Sequence, residues 1–188
     1  MCTDVARPAK PRTGQASGAR DPQGRTSGTG QRGGAVVWDG ADVTRMPAYE
    51  RARRGLCLVP ERQAVFGSLT VHENLELAAR DYDFALDAYP QLRPLLPRRA
   101  GTLSGGEQRM LALSRALLAR ARVVLLDEPA QGMSPAVAAH TYELLGGLDA
   151  GVVVAEQRLP PVLRGRAAIV YELRRGTVVF GGEAAELA

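Results

Sequence analysis

The sequence predicts an α/β domain built on a mostly parallel sheet, and three observations carry that prediction. Two continuous apolar runs, VVLLDE at 123–128 and GVVVAE at 151–156, have the character of strands buried on both faces of a parallel sheet. Segments with helical periodicity lie before and between them, so helices and strands alternate along the chain. Near the end, AAIVYELRRGTVVFGG alternates on either side of Arg175-Gly176, the pattern of a β-hairpin. The 188 residues suffice for one domain with a substantial core, or for one domain with a tail.

Residues 1–33 are rich in Gly, Pro, Ser, Thr and Arg and carry almost no large apolar side chain. Such a stretch cannot bury enough surface to offset its ordering entropy, so a disordered basic low-complexity tail is expected there. Arg7, Lys10, Arg12, Arg20, Arg25 and Arg32, set against Asp4 and Asp21, account for the whole net charge of +4. The body is neutral, and its charge makes no case for a nucleic-acid partner.

From Gly34 onward the character changes. AVVWDG reads as a strand and turn, and LCLVP as a second buried strand. VHENLELAAR reads as a helix, followed by a short helix near Phe84–Leu92. After SGGE comes a long amphipathic helix, with Met110, Leu113, Leu117 and Leu118 at i, i+3, i+7 and i+8. Another helix follows Pro135, with proline in its first turn. Cys57, Trp38 and Tyr171 are assigned to packing, His72 and His140 to non-ligating positions, and Arg51, Arg53 and Arg54 to a solvated helix face. No apolar run reaches the roughly 18 residues of a membrane span. The N-terminus lacks the apolar segment of a secretory leader, and Cys2 and Cys57 have no metal-ligand spacing. A reducing cytoplasm is the expected compartment.

Chemistry concentrates in two places. Ser104-Gly105-Gly106-Glu107 is a capping box by its Ser-x-x-Glu spacing. Its glycines also leave the free N–H groups of a helix N-terminus open to close approach by an anion. In VVLLDEP, Asp127 and Glu128 stand at the C-terminal end of a strand, where ligands bind in open α/β sheets. Adjacent carboxylates alternate sides of a strand, so one is free to ligate a divalent cation while the other orients or deprotonates a water.

LSGGEQ, the helix after it and LLDEP together resemble the ATP-binding cassette family, the ATPase subunits of ABC transporters. The resemblance runs from about Gly33 to the C-terminus. It implies an incomplete ABC-ATPase fold, P-loop NTPase-like, with a mostly parallel sheet and a C-terminal β-hairpin. The cassette would occupy 34–188, with a helical subdomain at about 70–120 that carries the signature. By resemblance Asp127 is the magnesium-associated aspartate and Glu128 the catalytic carboxylate. Ser104, Gly105, Gly106, Glu107 and Gln108 form the signature that meets a nucleotide bound mainly to an opposing subunit.

In LVPERQAVFGSLTVHENL, Glu61 stands where most cassettes have a glutamine, and is implied to lie near nucleotide and metal. In VVVAEQR, Gln157 replaces the switch histidine and is counted with Glu128 as catalytic. A glutamine donates a hydrogen bond to a phosphate but cannot shuttle a proton. In EPAQGMSP, Ser134 replaces an aspartate. This combination resembles the ATPase subunits of branched-chain amino acid importers. The cofactors implied are ATP and Mg²⁺. The partners implied are a second cassette subunit and membrane permease subunits, which places the chain in the cytoplasm at the inner face of the membrane.

The family's lysine loop has no counterpart. G-x-x-x-x-G-K-[ST] cradles phosphates with backbone N–H groups and a lysine, yet the only lysine here is Lys10, followed by Pro11. The expectation is an N-terminally truncated cassette whose VVLLDE and GVVVAE strands present bare faces or open edges. Three activities are then compatible with the residues: an ATPase subunit of an importer, a non-catalytic cassette that completes a partner's ATP site, or an inactive gene product.

Overall fold

A computed structural model describes residues 34–186 except Gln63, Arg166 and Ala168, so the tail expected at 1–33 lies outside the described residues. The chain opens with a small antiparallel ribbon, β1 (Val37–Trp38) and β2 (Ala41–Asp42), around a turn with both Asp39 and Gly40 at positive φ. Helix α1 (Ala48–Arg53) leads to β3 (Leu56–Val59). Helices α2 (Val71–Glu76), α3 (Asp83–Ala88) and α4 (Gly105–Leu118) follow, with 3-10 turns between them. Then come β4 (Val123–Asp127), α5 (Pro135–Gly146), β5 (Gly151–Ala155), α6 (Pro161–Arg164), β6 (Val170–Arg174) and β7 (Thr177–Gly182). β3, β4 and β5 form a parallel sheet with β4 central, in the register Val59↔Leu126 and Asp127↔Ala155. The mostly parallel α/β class expected from the sequence is the one observed.

Helix α4 organises the packing. Met110, Leu111, Leu113 and Leu117 are buried and Leu118 is partly so, which is the amphipathic stripe read from the sequence. Ser104 caps the helix, with the reciprocal Glu107 bond present. A second capping box, Thr70 with Glu73, starts α2. α2 is shorter than the VHENLELAAR run because its buried stripe ends at Leu75. Only Ala78 and Ala79 follow on that side, with little apolar area to bury, and Leu77 is exposed. Fully buried Asn74 is satisfied by Phe66 and the Thr70 carbonyl, which fixes the loop before α2. The helix expected near Phe84–Leu92 is interrupted at Pro90, where a 3-10 turn takes over from α3.

The sheet departs from one expectation. VVLLDE and GVVVAE are covered on one face only. Val124 and Leu126 are 2% and 3% exposed and join the core of Leu113, Tyr142 and Leu145, whereas Leu58 and Val153 on the other face are 63% and 56% exposed. Leu58, Leu125 and Val153 are in register across the three strands, and nothing among the described residues covers them. The outer edge of β5 also pairs with no strand among the described residues, as the expectation of bare faces and open edges anticipated.

The hairpin of β6 and β7 turns at Arg175 and Gly176, both at positive φ, the requirement of a two-residue type I′ turn. Tyr171 is mostly exposed, so it is no core residue; its ring lies across the strand over Gly181, where a Cβ would come within 3.1 Å of it. Trp38 is half-buried beneath the Arg122 guanidinium, which also pairs with Asp39. Cys57 is half-buried, and burial pushes its thiol up. Arg51 departs from the solvated face expected of α1: its guanidinium donates to the Met46 and Thr44 carbonyls and fastens the preceding loop. His72 meets Tyr82 and Glu76, and His140 meets the Ala88 carbonyl.

The start of α4 rests on the loop after β4. A Cβ on Gly106 would come within 2.7 Å of the Gly132 carbonyl oxygen, while one on Gly105 would point into open space. Gly106→Ala is therefore expected to cost about 1–3 kcal/mol by overpacking, and Gly105→Ala to stay within about 0.5 kcal/mol. Urea unfolding of the two variants checks the contrast, and equal losses would contradict it.

The caps carry a pH signature. Hydrogen bonds from the Thr70 and Ser104 backbone hold Glu73 and Glu107 below the ordinary carboxylate value of 4.5. With the folded value depressed, the stability each lends is present above the unfolded value and is lost as pH falls through the folded one. The gap in stability between wild type and an E73Q/E107Q variant is expected to be widest near neutrality and to close below pH 4.5, as read by urea titrations across pH.

The bare sheet face supplies a third expectation. Leu58→Lys with Val153→Lys should suppress concentration-dependent association in sedimentation runs while moving the unfolding midpoint little.

Candidate functional site

Two constructions converge on the C-terminal ends of the parallel strands. The first is the N-terminus of α4. Ser104 takes extended backbone angles, its hydroxyl accepts from Glu107 N, and its own N–H donates to the Glu107 carboxylate at 2.7 Å. The Gln108 amide turns back to donate to the Leu103 carbonyl. Glu107 and Gln108 thus spend their side chains on the local turn. What the turn presents outward is the Ser104 hydroxyl, the open side of Gly105 and the first-turn N–H groups, which have no partner one helical turn earlier. Gly106 owes its lack of a side chain to the Gly132 carbonyl beneath it.

The second construction is the end of β4. Asp127 is exposed at the last strand position, opposite Ala155. Glu128 has left the strand with φ 47, a left-handed conformation that costs a non-glycine residue about 1 kcal/mol or more. Its N–H donates to the Ala155 carbonyl at 2.9 Å, which holds the strained residue in place. Gln157, two residues beyond β5, donates through Nε2 to the Glu128 carboxylate at 2.6 Å. The two residues assigned to catalysis are therefore in direct contact. The pairing of β4 with β5 is the cause, because it sets the two strand exits side by side.

Glu61 follows β3 as the third strand exit. Its carboxylate faces Gln131 at 3.5 Å and Arg62 at 3.6 Å, and its carbonyl accepts from Arg109 at 2.7 Å. Arg109 projects from α4, is 5% exposed, and donates its other nitrogen to the Pro60 carbonyl at 2.7 Å. Burial works against its charge, and Glu61, Asp127, Glu128 and Glu156 act to restore it. Glu156 accepts from the Tyr142 hydroxyl; burial raises its pKa above the ordinary carboxylate value, and neighbouring Glu128 and Asp127 push the same way.

Arg109, Glu156, Tyr142 and Gln131 were not among the residues assigned from sequence. Arg109 had a legible signal: it precedes Leu113 by one helical turn and so stands in the buried stripe of α4, where an arginine needs partners. Glu156 was legible as the second residue of an exit whose third position, Gln157, was assigned. Tyr142 and Gln131 reach the site through tertiary packing that no local pattern announces.

Magnesium favours one or two carboxylates together with phosphate oxygens and waters. The exposed Asp127 offers one such ligand, but among the described residues no three of His, Cys, Asp and Glu are grouped to hold a metal ion. The sequence has no lysine loop to bring phosphates to it, and a guanidinium already stands within the field of Asp127 and Glu61. The residues present do not fit a magnesium ion held by this chain alone.

Comparison with known proteins agrees with this geometry. The family model described as ABC transporter matches residues 25–131. A probable branched-chain amino acid transport ATP-binding protein, LivF, of Archaeoglobus fulgidus is 38% identical over 167 residues, covering 82% of this chain and 70% of that protein. The high-affinity branched-chain amino acid transport ATP-binding protein BraG of Pseudomonas aeruginosa is 34% identical over 166 residues, covering 82% and 71%. Among solved structures, an ATP-binding subunit of an ABC transporter superposes with a TM-score of 0.68 at 22% identity, covering 81% of this chain and 68% of that one. Clostridium perfringens cbiO1, part of the cbiONQ transporter complex, gives 0.64 at 19%, covering 82% and 68%. At those identities the structures speak for the fold, and the sequence matches for kinship. The chain belongs to the ABC transporter ATP-binding family.

Proposed function

We propose that this chain is an ATP-binding cassette subunit of an ABC importer for branched-chain amino acids, and that it acts on nucleotide only within a composite site. The observation that carries the proposal is a pairing of presence and absence. The Ser104-Gly105 turn is open at the start of α4, while no G-x-x-x-x-G-K-[ST] occurs in the sequence. A signature turn of this kind meets the terminal phosphate of a nucleotide whose other phosphates are held elsewhere. Residues 34–188 form the cassette unit, with about 70–120 as its helical subdomain.

In this reading Ser104, Gly105 and Gly106 donate to the γ-phosphate of an ATP held mainly by an opposing cassette, with Glu107 and Gln108 fixing the turn. Glu128 is the carboxylate that orients an attacking water, and Gln157 holds it in place through the 2.6 Å bond. Neutral Gln157 leaves Glu128 its charge without supplying or removing a proton. Asp127 and Glu61 face the metal side, where magnesium supplies charge to the phosphates when a nucleotide brings it. The named functions of LivF and BraG support branched-chain amino acids as the cargo class. Partners are a second cassette subunit and permease subunits at the inner membrane face, with no nucleic acid.

Titration of a fluorescent ATP analogue tests the proposal. The chain alone is expected to show no saturable binding. Mixing with a complete cassette from the same importer class is expected to tighten that cassette's binding about ten-fold, and Ser104→Arg to abolish the gain. Saturable binding by the chain alone would instead support an independent ATPase, and no gain on mixing would refute the composite site.

A further inference from the structure

Arg109 is the feature of the site that the proposed reaction leaves without a role. It is a permanent cation, 95% removed from solvent, in the midst of Glu61, Asp127, Glu128 and Glu156. A buried charge is tolerated when it is both paired and hydrogen-bonded. Its hydrogen bonds go to the Pro60 and Glu61 carbonyls, each at 2.7 Å, and no carboxylate lies within 4.0 Å of it in a salt bridge among the described residues. The guanidinium therefore answers the acidic cluster as a shared field rather than as one partner's ion pair. Hydrogen bonds to two successive carbonyls fix the plane of the fork, and with it the position of the charge.

We propose that Arg109 is the built-in counter-ion of the Glu61, Asp127, Glu128 and Glu156 cluster and keeps a divalent cation out of it until nucleotide phosphates deliver one. Two effects act together. The fixed positive charge lowers the affinity of the carboxylates for a second cation placed among them. The two carbonyl bonds also tie the Glu61 backbone to α4, so the Glu61 side chain stays directed at Gln131 instead of closing on Asp127. Removing the charge and the tether frees the carboxylates for a cation, since hard divalent ions take several oxygen ligands and tolerate waters in the remaining positions.

The proposal concerns the resting chain without nucleotide, so it stands or falls apart from the composite-site reading. The test is Mn²⁺ binding to the full-length chain, followed by electron paramagnetic resonance of the free ion, with no nucleotide present. Wild type and Arg109→Lys, which keeps the charge, are expected to show no saturable binding at millimolar Mn²⁺. Arg109→Gln is expected to gain a saturable site at least ten-fold tighter than any wild-type binding. Adding Asp127→Asn to Arg109→Gln should remove that site. A cation that binds only the folded state also stabilises it. If Arg109→Gln is unfolded alone, recovery of its far-UV dichroism in Mn²⁺ is therefore a supporting result. Saturable binding by wild type overturns the proposal, as does a folded Arg109→Gln with no gain, or an unfolded one that Mn²⁺ does not restore.

Discussion

The seating of α4 is the constraint on which the remainder of the structure depends. This helix buries Met110, Leu111, Leu113 and Leu117 in the core shared by the parallel sheet and the shorter helices. Because those side chains are fixed, its two ends are fixed as well. The N-terminus is brought against Gly132 in the loop after β4, close enough that only glycine fits at 106. One turn along, the same seating carries the Arg109 guanidinium to the exit of β3. Two parts of the site distant in sequence are thus positioned by one packing event.

The carboxylate side follows from the sheet. Parallel neighbours share one direction, so the exits of β3, β4 and β5 open at the same end and deliver Glu61, Asp127, Glu128, Glu156 and Gln157 there. Acidic residues brought together this way repel, and three devices restrain the repulsion. Glu128 is held by Gln157 and by its own N–H on Ala155. Glu156 accepts from the Tyr142 hydroxyl. Arg109 contributes the opposite charge from beneath. The left-handed backbone at Glu128 is a further strain that the Ala155 bond offsets, and strain of this kind persists where surrounding structure over-determines it.

What was legible in the sequence was local chemistry and periodicity. The capping box at Ser104, the α4 stripe, the Arg175-Gly176 turn and the strand-ending Asp127-Glu128 pair are each written in a few adjacent residues, and each is where the reading placed it. The kinship rested on the same short stretches. Coverage of the sheet was misjudged because an apolar run shows that a strand is able to be buried on both faces, not that a layer exists to cover the second. Leu58 and Val153 have the side chains of a buried strand with no neighbour among the described residues. Arg51 and Arg109 were illegible for the converse reason: an arginine's worth is decided by carbonyls brought near in three dimensions, and neither Thr44 nor Pro60 announces itself as a partner.

That distinction also explains why the family is plain while the chemistry of the chain is conditional. A signature turn is a helix N-terminus, complete within Ser104–Gln108 and stabilised by its own cap whether or not a nucleotide arrives. A carboxylate pair at a strand exit is likewise complete in itself. Holding a triphosphate is different in kind: it requires several N–H groups and a lysine charge disposed around phosphates, and the sole lysine here precedes a proline at position 11. The carboxylates therefore have a fixed internal cation but no fixed substrate. Repulsion between Asp127, Glu128 and an incoming polyphosphate must be overcome by positive charge from another source, and a partner cassette that grips the phosphates supplies it at the place where Ser104 and Gly105 stand open.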